Sequence, residues 1–141
     1  MKSFLEEVAA RTPAPGGGAV AAMTAASAAA LVSMAARFSS SDSAASAGDE
    51  LRARLVQLAT DDAEAYTAVL ASRGEARKEA MRVATEVPRA IASAAAEVAT
   101  LAHSLAANGN PRLLGDARVA ELLAEAAAKA AGVLVEINTA P

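Results

Sequence analysis

The sequence predicts an all-α fold, and three observations carry that prediction. Apolar residues recur at helical spacing along most of the chain, and nowhere do they alternate at the two-residue period of a half-buried strand. Alanine, the strongest helix former, supplies 43 of the 141 residues. The main breaks, at 12–18, 73–74 and 108–111, are built from Pro, Gly and Asn and separate long uninterrupted segments. The length suits one domain, residues 1–141, and a single-domain bundle of about five helices.

Taken in order, Ser3, Phe4, Leu5 and Glu6 read as a capping box, with Phe4, Leu5 and Val8 on the apolar side of a short helix ending near Ala10. Pro13 and Pro15 stop it, Gly16, Gly17 and Gly18 follow, and a second helix runs to about Phe38. That helix approaches the length of a membrane span of roughly 20 residues. It is mostly Ala, however, interrupted by Thr24, Ser27, Ser33 and Arg37, which favours a buried core helix over a bilayer one. Residues 39–48 contain only small and polar types and read as a loop. A third helix begins near Asp49 with the stripe Leu51, Leu55, Leu58, Tyr66 and Val69, and the position that completes the stripe holds Asp62. A fourth covers 76–105, with Met81, Ala84, Val87, Ile91, Ala95, Val98 and Leu105 inward. Pro88 cannot donate to the Ala84 carbonyl and is expected to kink or divide it. Residues 108–111 form a stop, with Gly109 as a left-handed cap. Asp116 then caps a last helix whose large apolar residues Val119, Leu122, Val133 and Ile137, with Ala126 and Ala130, form its inward stripe.

Composition excludes several functions. With 13 Lys and Arg against 16 Asp and Glu, a formal net charge of -3 and no basic cluster, nucleic acid is not an expected partner. No Cys and a single His rule out thiol chemistry and a conventional zinc site, so no metal is expected. No basic, apolar and small-residue leader opens the chain, which gives a cytoplasmic expectation, with no membrane as partner. Although 54% of residues are hydrophobic, most of those are Ala, which buries little area each. Such a thin core suggests further burial against a second copy, and hence a homodimer whose interface includes the Ala-rich second helix.

Three glycines at a helix start permit positive φ, allow close backbone approach and expose unpaired N–H groups to a ligand. The same glycines could equally serve only to turn the chain into a crowded helix. Asp62 is the second candidate. A carboxylate on a Leu and Val face is costly unless compensated, and its pKa would rise as general-base work requires. Its structural alternative is an ion pair with an Arg, and Asp61 beside it reads as solvated. His103 reads as a surface or subunit-contact residue.

The stretch "FLEEVAARTPAPGGGAVAAMTAASAAALVSMAARF" resembles the opening of the formiminotransferase-cyclodeaminase C-terminal family, which includes methenyltetrahydrofolate cyclohydrolases. Later pieces follow in the family's order: "DAEAY" at 62–66, "ATEVP" at 84–88, "GN" at 109–110, "GDA" at 115–117 and Asn138. The chain departs from the family by lacking a Pro-Lys after the third helix, where it has "ASRGEARKEA" with Lys78 displaced. The resemblance implies a dimerising helical domain that takes a tetrahydrofolate derivative as substrate and holds no tightly bound cofactor. It implies Asp62 as the catalytic group and Pro15, Gly16, Gly17, Gly18, Asn110, Asp116 and Asn138 as substrate-binding. Asp116 could instead be only a helix cap, Asn110 could only satisfy loop backbone, and Asn138 could bond to ligand or to helix. The implied reaction is hydrolysis of 5,10-methenyltetrahydrofolate to 10-formyltetrahydrofolate, favoured because no formiminotransferase domain accompanies the sequence. Alternatives are formiminotetrahydrofolate cyclodeamination with release of ammonia, a recruited cyclase or hydrolase, and a non-enzymatic helical binding module.

Overall fold

A computed structural model describes all 141 residues and contains helices joined by short connections, with no strand. The five α-helices are α1 (Lys2–Ala9), α2 (Gly17–Phe38), α3 (Asp42–Ala71), α4 (Gly74–Asn108) and α5 (Leu114–Thr139), with a single 3₁₀ turn at Pro111–Leu113. The short loops make α2 to α5 successive antiparallel neighbours. α2 lies against α3, α4 and α5, while α1 buries no residue completely and only its Phe4 packs on the core.

The core is an alanine core. Ala19, Ala22, Ala25, Ala28, Ala29 and Ala36 of α2 are fully buried, facing Leu55, Ile91, Val98 and the alanines of α5. Small side chains let helix axes approach closely, so the burial comes from many small contacts rather than a few large ones. α2 and α4 are each long and apolar enough to cross a bilayer, but the apolar residues of α2 are mostly enclosed by its three neighbours.

Four details depart from the expectations above. α1 starts at Lys2, one residue early, so Ser3 lies inside the helix and its hydroxyl donates to Glu7 rather than forming a capping box. Residues 42–48 are helical, not a loop. Ala45 is buried on α2, and Gly48 lies so close to Ser33 that any side chain at 48 would collide with the Ser33 hydroxyl. Asp42 in the first turn suits the positive end of that helix. Gly109 has φ -84° and is not left-handed; the left-handed glycine is Gly74, φ 58°, at the start of α4. α4 runs unbroken through Pro88, so of the kink or division expected there the division does not occur.

The last helix differs most. Its buried face is Ala117, Ala120, Ala124, Ala127 and Ala131, whereas Val119, Leu122, Val133 and Ile137 are 48–65% exposed. Large apolar residues could not pack there without pushing α5 away from the alanines of α2, so they face outward. Asp116 sits in the first turn of α5 and makes no capping hydrogen bond.

Candidate active site

α3 and α4 form a hairpin that extends beyond the start of α2, because Asp62 lies near the start of α2 and α3 continues to Ala71. The end of α5 reaches the same level, with Asn138 bonded to Ala84 of α4. Where α2 begins, the space between these elements is a cavity of about 360 Å³ lined by Pro13, Ala14, Gly16, Gly17, Gly18, Asp62, Tyr66, Ala84, Pro88, Leu134, Ile137 and Asn138. This lies in the range of roughly 300–1,000 Å³ typical of small-molecule sites.

The glycine turn enters through a cis Ala14–Pro15 peptide and forms the first turn of α2. None of Gly16, Gly17 and Gly18 has positive φ, so the left-handed conformations expected from the sequence are absent. Space is what the glycines provide. A Cβ on Gly18 would collide with the Asp62 carboxylate, whereas one on Gly17 would meet no protein atom within 4 Å. Gly18 therefore admits the carboxylate to the helix start, and Gly17 leaves the cavity open.

Asp62 comes from the apolar stripe of α3, between Leu58 and Tyr66, and is half-buried. Burial raises its carboxyl pKa above the ordinary carboxylate range, and the Ala19 backbone N–H at the start of α2 pulls it partly back. The positive end of α2 acts in the same sense as that N–H. No Lys, Arg or His pairs with Asp62, so the Arg pairing considered from the sequence does not occur. The result is a lone carboxylate, partly desolvated, facing a cavity. Lys78 is far out on the α4 surface, bonded to Glu75 at 2.7 Å.

Tyr66 was legible only as part of a core stripe. It is 48% exposed and lines the cavity one helical turn beyond Asp62, the only aromatic ring there. Asn138 also lines it, and its Nδ2 donates to the Ala84 carbonyl at 3.0 Å. Pro15 turns away, facing Ala63, Glu64 and Thr67 in a separate shallow depression.

Asn110 and Asp116 are not in the cavity. α2 has 22 residues, so its ends lie about 30 Å apart at 1.5 Å per residue, and Asn110 belongs to the far end. There its Nδ2 donates to the Phe38 carbonyl at 3.0 Å and its Oδ1 accepts from the Arg112 N–H. Its own N–H donates to the Ser39 hydroxyl. These bonds tie the connection before α5 to the end of α2, which is structural work. His103 is 68% exposed and its Nδ1 lies 2.7 Å from Glu121, a surface link between α4 and α5.

The fold and site define a helical bundle with a cavity built on a glycine turn and lined by one unpaired carboxylate. The chain belongs to the formiminotransferase-cyclodeaminase family, whose profile matches residues 1–141. It is 32% identical to a methenyltetrahydrofolate cyclohydrolase of Methylorubrum extorquens, over 98% of this chain and 78% of that protein. Among solved structures it resembles a formiminotetrahydrofolate cyclodeaminase from Thermotoga maritima, with a TM-score of 0.93 and 32% identity over 98% of this chain and 77% of that one.

Proposed function

We propose that the protein is a folate one-carbon enzyme that hydrolyses 5,10-methenyltetrahydrofolate to 10-formyltetrahydrofolate, with Asp62 as general base. The observation that carries the reading is the lone Asp62 carboxylate, half-buried, without a cationic partner and raised in pKa, in the cavity beside Gly18. The methenyl bridge joins N5 and N10 through one carbon and bears a positive charge, which an unpaired carboxylate complements. Asp62 takes a proton from water as its oxygen adds to that carbon. Asp62 then returns the proton to N5 as the C–N5 bond of the tetrahedral adduct breaks, leaving the formyl group on N10. The hydroxyl proton of the adduct leaves as the carbonyl forms, and the net release is one proton. One group serving as base and then acid suffices, and Asp62 is the only carboxylate lining the cavity.

Tyr66 offers a flat apolar face to the pterin ring, and Gly17 lets that ring lie against backbone. The cavity volume suits the bicyclic head, leaving the benzoyl-glutamate tail to run out along the surface. Formiminotetrahydrofolate cyclodeamination uses the same carbon and is the second reading, favoured by the structural likeness to a cyclodeaminase. Pure protein separates the two. Loss of methenyltetrahydrofolate absorbance faster than in buffer supports the hydrolase. Release of ammonia from formiminotetrahydrofolate with no hydrolysis supports the deaminase, and neither activity refutes the folate reading.

The working unit is a homodimer that covers the outer face of α5 with a second copy. A compact monomer of 14.0 kDa exposes about 6,700 Å² by the size scaling of folded proteins. This chain exposes 7850 Å², and Val119, Leu122 and Val133, joined through the exposed Ala126 and Ala130, form an apolar line along α5 that runs to Ile137 at the cavity edge. The alanines of α2, the interface expected from the sequence, are already spent inside the bundle.

A further inference from the structure

We propose that Pro88 is a positioning residue for ligand binding: by leaving the Ala84 carbonyl without its helical partner, it holds the Asn138 amide so that Oδ1 is the atom offered to the cavity. The inference rests on the folate reading above. In an uninterrupted helix the N–H of residue 88 would bond to the carbonyl of residue 84, and proline has no N–H to give. That carbonyl is instead satisfied across the bundle, by Nδ2 of Asn138 at 3.0 Å. Ala84 and Pro88 are both buried, and a buried carbonyl needs a donor.

A carbonyl only accepts, so the group facing it must donate. Rotating the Asn138 amide by half a turn would set oxygen against oxygen, which the Ala84 carbonyl forbids. Asn138 Nδ2 is therefore engaged, while its Oδ1 accepts no hydrogen bond from the protein. Ala84, Pro88 and Asn138 all line the cavity. With Asp62 on the α3 wall, the cavity thus presents acceptors from two opposite helices. The ligand edges facing them must donate, as the ring N–H and amino groups of a reduced pterin do, whereas a ring bearing only acceptors on that edge is disfavoured. A mid-helix proline in this way sets the polarity of a side chain on another helix.

The test is Pro88→Ala, which restores the missing N–H, so that the Ala84 carbonyl no longer depends on the Asn138 amide for a donor. With methenyltetrahydrofolate as probe, KM is expected to rise roughly tenfold, about the value of one hydrogen bond, with kcat changed less than about twofold. The melting temperature should hold or rise, since alanine is the better helix residue. In the Asn138→Ala background the Pro88→Ala change should add nothing further to KM. An additional tenfold loss there, or an unchanged KM in Pro88→Ala alone, overturns the proposal. The amide can also be followed without ligand. The Asn138 side-chain NH₂ signals in a ¹⁵N NMR spectrum should exchange slowly with solvent in the parent protein and rapidly in Pro88→Ala. Equal exchange in both overturns the lock. A parent protein that neither binds nor consumes the folate refutes the folate reading instead, and leaves the NMR comparison to decide the lock.

Discussion

The Asp62 carboxylate occupies the space that a side chain at Gly18 would fill. Helix α2 and the acid on α3 are therefore one device: the helix start is left bare so that the carboxylate can reach its N–H groups. Gly18→Ala should displace Asp62, lower activity at least roughly 100-fold and cost about 1–3 kcal/mol of stability through overpacking. A Cβ at position 17 meets no protein atom within 4 Å, so Gly17→Val should melt within a few degrees of the parent yet lose folate binding. Parallel calorimetry and turnover assays on both variants check this, and equal losses in the two would contradict the division of labour.

Asp62→Asn keeps the shape and an acceptor for the Ala19 N–H. It should lower the rate roughly 100-fold or more, as for loss of a general base. It should not destabilise the fold at neutral pH, because no buried cation is left unpaired. Single-turnover rate and melting temperature measured on one sample decide the matter. A destabilised but fully active variant removes Asp62 from the chemistry.

The raised Asp62 pKa gives a pH dependence with a definite sign. Holding the group above its unfolded value of 3.8 means that the folded state binds its proton more tightly. Its contribution to stability is thus fully present below 3.8 and is lost as pH rises through the higher folded value. Relative to Asp62→Asn, the parent should lose stability across that interval and then stay level. The catalytic rate should climb over the same interval, since the base works deprotonated. Chemical denaturation and kcat/KM profiles from pH 3 to 8 check both, and a rate that falls across the interval would contradict the general-base assignment.

Tyr66 is the chain's only tyrosine, and there is no tryptophan. Intrinsic emission therefore reports a single side chain at the cavity wall. Titration with a reduced folate should quench it in a saturable way, with a midpoint matching the binding constant from calorimetry. Tyr66→Leu should weaken binding about tenfold through loss of the ring contact. Emission unaffected by a ligand that calorimetry shows to bind would place the ligand elsewhere.

Leu122 is 65% exposed, one turn from the start of the outer α5 line. The parent is expected to scatter light as a dimer at micromolar concentration, and Leu122→Arg as a monomer of about half that mass, since a buried unpaired charge costs several kcal/mol. A parent that is monomeric at that concentration would contradict the dimer.

The fold class was legible because helical periodicity and alanine content act locally. Asp62 was legible as well, since a carboxylate interrupting a Leu and Val stripe is a conflict visible in one dimension. What misled was size. In this chain small residues mark the inside, so a stripe chosen by size turns Val119, Leu122 and Ile137 inward although they point out, and 42–48 looks like a loop although its smallness is what lets it pack. Tyr66 was hidden for a related reason: its place on the stripe was right, but the bundle ends before it, where α2 has not yet begun. Asn110 and Asp116 show a different limit. Their order along the chain matched the family, yet with antiparallel helices two positions on one helix can stand about 30 Å apart, as Asp116 and Asn138 do on α5. The bond from Asn138 to Ala84 spans 54 positions, and nothing local announces it.

Alanine at the contacts also fixes the direction in which this protein can fail. A core of leucines is damaged mostly by subtraction, through holes that neighbours partly close. Along α2, where Ala19, Ala22, Ala25, Ala28, Ala29 and Ala36 are fully enclosed, nearly every replacement adds atoms, and there is no room to add them. Because α2 touches α3, α4 and α5, one extra methyl group on its enclosed face is expected to spread them together and to open the gap between Gly18 and Asp62. Mutational scanning should then show that the enclosed alanines of α2 tolerate only glycine and serine, and that larger substitutions there silence the enzyme by widening it although none beyond the first turn takes part in the chemistry.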